Sequence, residues 1–229
     1  MSIEMWLADH DQVGVRSRLQ SNVFDEMWRE VALDSDDLRV DVTDRVVTLS
    51  GTVRSLPEKL AAERAARRVR GVRDVRNEVA VVLPASQRRG DEDLAEAAAC
   101  VIESDVLVPS GKVGVVVVAG WIELTGVVSR HAERQAAEEA VQRLVGVKGV
   151  TNLIELEPLG PERDVKAQVA EALERRPALR GDRIKVDVVG GLTVLRGRVR
   201  TLAERDEAVA AAWGAPGVTR VRDKLRVAA

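Results

Sequence analysis

The chain has 229 residues, of which 45% are hydrophobic and only 2% aromatic, and its 35 basic side chains nearly balance 37 acidic ones. This composition excludes a disordered chain and predicts a globular protein whose core is built from valine, leucine and alanine. The chain has one cysteine, Cys100, and two histidines that are far apart, His10 and His131. An internal disulfide and a Cys/His metal site are therefore disfavoured, as are a metal cofactor and catalysis that depend on such a site.

The first residues carry acidic side chains and no basic segment followed by an apolar stretch. No run of about 18 apolar residues occurs anywhere in the chain. We therefore expect a protein without a secretory signal or a transmembrane helix, resident in the cytoplasm.

One sequence unit occurs three times, which a fixed spacing of glycines makes visible. Three strand-like segments end at Gly51, Gly126 and Gly197, and a second glycine follows each after twenty residues, at Gly71, Gly146 and Gly217. We predict an N-terminal segment over 1–18, repeat 1 over 19–83, a linker over 84–90, repeat 2 over 91–158 and repeat 3 over 159–229.

Within each repeat the hydrophobic spacing changes in the same order. Apolar residues four apart predict a first helix, alternating residues then predict two strands joined by a short turn, and an alanine-rich stripe predicts a second helix that ends at the second glycine. A third alternating segment follows. In repeat 1 these features are Leu19, Val23 and Met27, then Val40, Val42, Val47 and Leu49, then Ala62, Ala65 and Ala66, and finally Val79 and Val81.

The order in each repeat is therefore α-β-β-α-β. A right-handed crossover through the second helix makes strands two and three parallel, and the short turn makes strands one and two antiparallel. The predicted fold class is α+β, with three tandem domains that each have a three-stranded mixed sheet and two helices on one sheet face.

This pattern resembles the BON domain, a module of bacterial osmotically induced and nodulation-related envelope proteins. The resemblance rests on a Leu-x-Gly sequence at the end of strand two and a later Gly-Val-x-x-Val sequence. It implies a small non-enzymatic α/β module that associates with phospholipid or other envelope surfaces. The Leu-x-Gly motifs are Leu49-Ser50-Gly51, Leu124-Thr125-Gly126 and Leu195-Arg196-Gly197.

The repeated polar and glycine positions favour structural roles. The strand glycines lack the context of a phosphate-binding loop, so we expect a bulge or the close approach of a helix. Asn77, Asn152 and Asp223 are expected to hydrogen-bond a turn where a strand begins. No nucleophile has a histidine in a plausible local arrangement, so we predict no catalytic triad.

Charge separates the three repeats. Residues 19–83 carry 11 basic and 12 acidic side chains, residues 91–158 carry 5 and 12, and residues 161–229 carry 15 and 10. Their formal charges are thus −1, −7 and +5. The near-neutral total conceals a strongly acidic repeat beside a basic one.

Strand alternation predicts which side chains cover the sheet face that the helices leave open. In repeat 3 this face is almost entirely basic, which suggests an anionic partner such as phospholipid head groups or the acidic repeat 2. A charged surface that is only solvated is the simpler alternative. The predicted residues are Lys185, Asp187, Arg196, Arg198, Arg200, Lys224 and Arg226.

The same face of repeat 2 is predicted to be apolar with acidic residues around it, the kind of surface that a partner usually covers. Docking on the basic repeat 3, within one chain or head to tail between chains, would cover it, and docking between chains would produce a homo-oligomer. The residues predicted on this face of repeat 2 are Val116, Val118, Glu123, Val127, Leu153, Glu155 and Glu157.

Aromatic residues suggest two further roles. Phe24 and Trp28 on the first helix are candidates either for the core or for an anchor at a membrane interface, and Trp6 precedes them. Trp121 and Trp213 are expected to pack internally. The basic surface of repeat 3 lacks stacking aromatics, which disfavours nucleic acid as the partner.

The sequence thus predicts a non-enzymatic binding protein for anionic phospholipid or envelope surfaces. Self-assembly through repeats 2 and 3 into a structural scaffold is the alternative.

Overall fold

A computed structural model describes residues 18–30, 37–157, 165–179, 184–189 and 191–227. Residues 1–17 of the predicted N-terminal segment, including Trp6, lie outside these ranges. The described residues form three α+β units in the predicted order, so the predicted fold class is confirmed.

Repeat 1 begins with an amphipathic helix and continues through a hairpin, a second helix and a broken third strand. Its elements are α1 (Arg18–Glu30), β1 (Arg39–Thr43), β2 (Val46–Ser50), β3 (Thr52–Val53), α2 (Leu56–Arg68), β4 (Asp74–Asn77) and β5 (Ala80–Val81).

Repeats 2 and 3 repeat this order. Repeat 2 comprises α3 (Asp91–Ser104), β6 (Val113–Val118), β7 (Trp121–Val128), α4 (His131–Gln142), β8 (Gly149–Asn152) and β9 (Glu155–Leu156). Repeat 3 comprises α5 (Val165–Glu174), β10 (Lys185–Val189), β11 (Leu192–Val199), α6 (Leu202–Trp213) and β12 (Arg220–Val227).

The middle strand of each sheet pairs antiparallel with the first strand and parallel with the third, as predicted. The hairpin turns of repeats 1 and 2 contain adjacent residues with positive φ, such as Ala119 at 52° and Gly120 at 81°. That backbone suits a two-residue turn whose twist matches the strands. Both helices of a repeat cover one sheet face, and the other face remains open.

The glycine that ends strand two allows two chain segments to approach closely. Gly51 has a φ of 110°, and a Cβ built there would lie 2.0 Å from the carbonyl oxygen of Asp37. Gly126 is equally confined, with a Cβ 2.1 Å from the carbonyl oxygen of Lys112. The approaching segment is therefore the chain before strand one, whereas the sequence pattern predicts a bulge or the close approach of a helix.

The second glycine does not end the second helix directly. In repeat 1, α2 ends at Arg68 with Val69 as its C-cap, and Gly71 follows with a φ of 94°. The glycine instead provides the left-handed backbone of the turn that leads into strand three. The predicted helix end was too late by a few residues.

A polar residue in strand three links this strand to the second helix by side-chain hydrogen bonds. Asn77 donates to the carbonyl oxygen of Lys59 at 3.1 Å and accepts from the amide of Val79 at 3.2 Å. Asn152 makes the same pair of contacts in repeat 2. In repeat 3, Asp223 instead accepts from the Arg205 side chain and from the amide of Leu225. These positions are structural.

The three repeats contact one another through the first residue of the second helix. Leu56 at the start of α2 packs into the core of repeat 2, and Leu202 at the start of α6 packs into the core of repeat 1. His131 holds the same position in α4 and stacks on Trp213 of repeat 3. Each repeat therefore contacts the next in one direction, and the three contacts close into a ring.

An ion pair also joins the ring. The Arg67 guanidinium on α2 donates to both carboxylate oxygens of Asp206 on α6, at 2.6 and 2.7 Å. Since the ring contacts are made by helices, the open sheet faces point away from them. Each of the three repeats thus leaves one sheet face exposed.

Candidate anion-binding surface

The open sheet face of repeat 3 is covered by basic side chains. The alternation is as predicted, because Val186, Leu195 and Leu225 are buried on the helix side while their neighbours are exposed. We call the exposed cations of this sheet the basic face: Lys185, Arg196, Arg198, Arg220, Arg222, Lys224 and Arg226.

Three of these cations form one row across the sheet. Lys185 on β10 is directly opposite Arg196 on β11, and Arg196 is directly opposite Lys224 on β12. Adjacent strands lie only about 4.8 Å apart. Arg198 is likewise opposite Arg226 in the neighbouring row. Like charges in directly opposite positions destabilise a sheet, so this arrangement favours binding of an anion.

The charges of the basic face are not neutralised within the described part of the chain. None of its seven side chains makes a hydrogen bond or ion pair with another described residue. Asp187 lies on the same side of β10, opposite Val194. One carboxylate therefore accompanies seven cations.

Arg200 does not belong to this surface, although the sequence analysis placed it there. Strand β11 ends at Val199, and Thr201 is already the N-cap of α6. The Arg200 guanidinium lies 2.7 Å from a carboxylate oxygen of Glu204 on that helix. Its charge is therefore paired at the end of the sheet.

Arg220 and Arg222 extend the surface and were missed from the sequence. They lie opposite Leu192 and Val194 of β11, on the same side as Lys224. The apolar alternation places the start of strand three after Asp223, whereas β12 starts at Arg220. The alternation Arg-Val-Arg-Asp-Lys-Leu-Arg would have revealed both residues.

The equivalent sheet of repeat 1 serves as an internal comparison. It has Arg39 where repeat 3 has Lys185, and Arg76 where repeat 3 has Arg222. Asp41, Asp74 and Glu78 share that side of the sheet. The same backbone thus presents a mixed surface in repeat 1, so the cationic surface is a property of the repeat 3 sequence.

The open sheet face of repeat 2 is apolar, and it includes Trp121, which is 53% exposed. This corrects the expectation that Trp121 packs internally. Its ring lies over Gly149 on the neighbouring strand, where a Cβ would come within 2.2 Å of it. We call the following exposed residues the apolar face: Val116, Val118, Trp121, Val127 and Leu153, with Glu123 and Glu155 among them.

Glu157 lies at the end of the apolar face and accepts a hydrogen bond from the Ser129 hydroxyl at 3.2 Å. The apolar face and the basic face are exposed in the same molecule, so they do not cover each other. Docking of these two faces within one chain is therefore absent from the structure.

The two candidate membrane anchors on α1 differ in burial. The Phe24 and Trp28 rings are stacked with centroids 5.9 Å apart. Phe24 packs against the core of repeat 1, whereas Trp28 is 56% exposed. Phe24 therefore belongs to the core, and an anchoring role rests on Trp28 alone.

Across the described ranges, no cluster of three or more His, Cys, Asp or Glu side chains could hold a metal ion. No helix among them is long and apolar enough to span a bilayer.

Comparison with known proteins identifies the family. The model of the BON domain matches this chain at residues 16–82, 90–158 and 161–229. The chain therefore belongs to the BON domain family and contains three tandem copies of the domain.

A curated relative is the osmotically-inducible protein Y of Escherichia coli (strain K12). It is 32% identical over 124 residues, which cover 52% of this chain and 62% of that protein. The match thus spans less than two thirds of the relative.

Two solved structures of CdsD, a structural protein of the type III secretion system of Chlamydia trachomatis, also align. Their identities are 12% and 13%, over 93% and 94% of this chain and 93% and 100% of theirs. Both TM-scores are 0.25, a value that does not define a shared overall fold.

Proposed function

We propose that this BON-domain protein is a non-enzymatic binding protein that associates with anionic phospholipid surfaces through the basic face. The observation that carries the proposal is the row Lys185, Arg196 and Lys224, whose members are directly opposite one another and have no acidic partner among the described residues. Such a row loses its repulsion when an anionic surface covers it.

The strength of the interaction follows from the number of charges. A lysine or arginine near an anionic bilayer contributes about 1 kcal/mol, and the effect fades within a Debye length. Several cations on one flat sheet can approach a bilayer together. The resemblance to envelope-associated BON proteins supports the same partner class. Among the described residues of the basic face there is no aromatic side chain that could stack on a base, which disfavours single-stranded nucleic acid.

The proposal is tested by flotation with vesicles. The wild-type protein is expected to float with vesicles that contain phosphatidylglycerol and not with pure phosphatidylcholine vesicles. Flotation is expected to be strong at about 0.1 M salt and lost at about 1 M, where the Debye length falls from about 10 Å to about 3 Å. Equal flotation with both vesicle types would contradict the proposal.

Two variants of equal charge change locate the contact. The basic-face variant takes the repeat 1 residues at three positions, Arg196→Ser, Arg198→Thr and Lys224→Glu, as found at Ser50, Thr52 and Glu78. The control is Arg39→Glu with Arg76→Glu on the repeat 1 sheet. We expect the basic-face variant to stay unbound and the control to float like the wild type. Equal behaviour of the two variants would show that binding depends only on net charge.

A further inference from the structure

We infer that the apolar face of repeat 2 docks on the basic face of a second copy of this chain, so that the protein assembles head to tail. This contact shares the basic face with the proposed function but requires no lipid.

Exposure of the apolar face indicates that something covers it. Val118 is 66% exposed and Leu153 is 52% exposed, and both lie on the same side of the sheet as Trp121. Exposed apolar patches with a polar rim are typical of protein interaction sites. A tryptophan at the patch adds the residue type that most often dominates binding energy at interfaces.

Charge selects the partner. The only charged members of the apolar face are Glu123 and Glu155, and repeat 2 as a whole has a formal charge of −7. A second acidic repeat 2 and an anionic bilayer would both be repelled. The complementary surface is cationic, and the basic face of another copy provides it.

The chemistry of arginine and lysine suits this contact. Their long aliphatic segments can lie on valine and leucine while the charged groups reach acidic residues. An arginine guanidinium can also stack on the Trp121 ring. Glu123 lies on the central strand β7, as Arg196 lies on the central strand β11, so the charges meet near the middle of the two sheets.

The geometry determines the mode of assembly. Both faces are exposed in one chain whose repeats are already joined through their second helices, so the partner must be another molecule. Every copy offers one apolar face and one basic face. A contact between unlike faces leaves one of each unoccupied in a dimer, and growth therefore continues into chains or rings.

Sedimentation at low salt over a concentration series tests the inference. Because each face is defined by seven residues, fewer than the roughly 20–30 residues a side of a standard interface, association is expected to be weak, and the series should reach about 1 mM. We expect the average mass of the wild type to rise with concentration and to return to the monomer in about 1 M salt. A monomer throughout the series would overturn the inference.

Two variants give the decisive result when they are mixed. The apolar-face variant Glu123→Arg with Glu155→Arg keeps an intact basic face, and the basic-face variant defined above keeps an intact apolar face. Each alone is expected to be monomeric. Their equimolar mixture is expected to form a 1:1 dimer and nothing larger, because only one productive contact remains. A mixture that stays monomeric would overturn the inference.

A control variant and the vesicle assay separate this inference from the proposed function. Asp41→Arg with Glu78→Arg makes the same charge change on the repeat 1 sheet and is expected to assemble like the wild type. The apolar-face variant is expected to float with anionic vesicles as well as the wild type does. A wild-type protein that floats but never assembles would overturn only the docking, and one that assembles but does not float would overturn only the lipid proposal.

Discussion

The imidazole of His131 stacks on the indole of Trp213, with ring centroids 4.7 Å apart and an interplanar angle of 16°. This pair joins repeat 2 to repeat 3 at the position where Leu56 and Leu202 join the other repeats. At this helix-start position, one of the three ring contacts is made by a titratable side chain, and the other two are made by leucines.

Stability of the contact between repeats 2 and 3 is expected to depend on pH. Burial and the nearby Arg134 charge lower the pKa of His131 to about 4, from 6.5 in an unfolded chain. The unfolded state therefore binds the proton first on acidification. The stabilisation is fully present above pH 6.5 and is lost as pH falls towards 4.

The matched variant is His131→Leu, which introduces the residue of the other two contacts. Between pH 7 and pH 4.5, the free energy of unfolding should fall in both proteins. We expect the fall to be larger in the wild type than in His131→Leu by roughly 1–2 kcal/mol, a figure that allows for solvent screening of a half-buried ring. Urea unfolding at a series of pH values measures it. Parallel pH profiles would contradict the assigned role of His131.

Leu202→Ala is expected to weaken repeat 1 as well as repeat 3. The Leu202 side chain is 0% exposed and packs into the repeat 1 core, so truncation leaves a cavity in that core. A loss of about 2–5 kcal/mol is expected. Hydrogen exchange should speed up at amides of α2 and β2, whereas the exposed control Val189→Ala should change little. Faster exchange confined to repeat 3 would show that the ring contact is not energetically important.

Thr193→Val is expected to stabilise the protein. Thr193 is fully buried, and its hydroxyl has no hydrogen-bond partner among the described residues. Val47 and Ile122 occupy the same position in the other repeats. Since valine has nearly the same shape, removal of the unpaired hydroxyl should raise the free energy of unfolding by about 1–2 kcal/mol. A lower midpoint in thermal unfolding would indicate that the hydroxyl has a partner.

Gly126→Ala is expected to disrupt repeat 2. Its φ of 135° is unfavourable for alanine, and the added Cβ would meet the carbonyl oxygen of Lys112 at 2.1 Å. Clash and backbone strain together should cost more than about 2 kcal/mol. Gly111→Ala, where nothing lies within 4 Å, is the control for the loss of a glycine with positive φ. Equal melting temperatures of the two variants would show that the close approach is not required.

Local periodicity predicted the fold and the direction of most side chains. The alternation through Val186, Leu195 and Leu225 places their neighbours on the open sheet face, because successive residues of a strand face opposite sides. The same rule puts Trp121 beside Glu123 on the open face of repeat 2. Trp121 stands at the start of its strand, a position that the sequence analysis interpreted as internal packing, but the alternation already holds at this first residue.

Other features could not follow from periodicity. Arg200 was misplaced because the boundary between β11 and the cap of α6 falls at that residue, and element ends are set by capping contacts. The ring contacts depend on how three distant helices meet. Leu56 and Leu202 resemble any apolar residue at a helix start, and nothing nearby in sequence specifies the repeat that each contacts.

The most direct test of the central claim is the partition coefficient of single neutralised variants on vesicles that contain phosphatidylglycerol. Lys224→Gln removes one charge from the row across the basic face, and Arg76→Gln removes one from the mixed sheet of repeat 1. With about 1 kcal/mol for each cation near the bilayer, Lys224→Gln should lower the coefficient about fivefold, while Arg76→Gln leaves it unchanged. Equal coefficients for the two variants would contradict the assignment of the basic face as the lipid-binding surface.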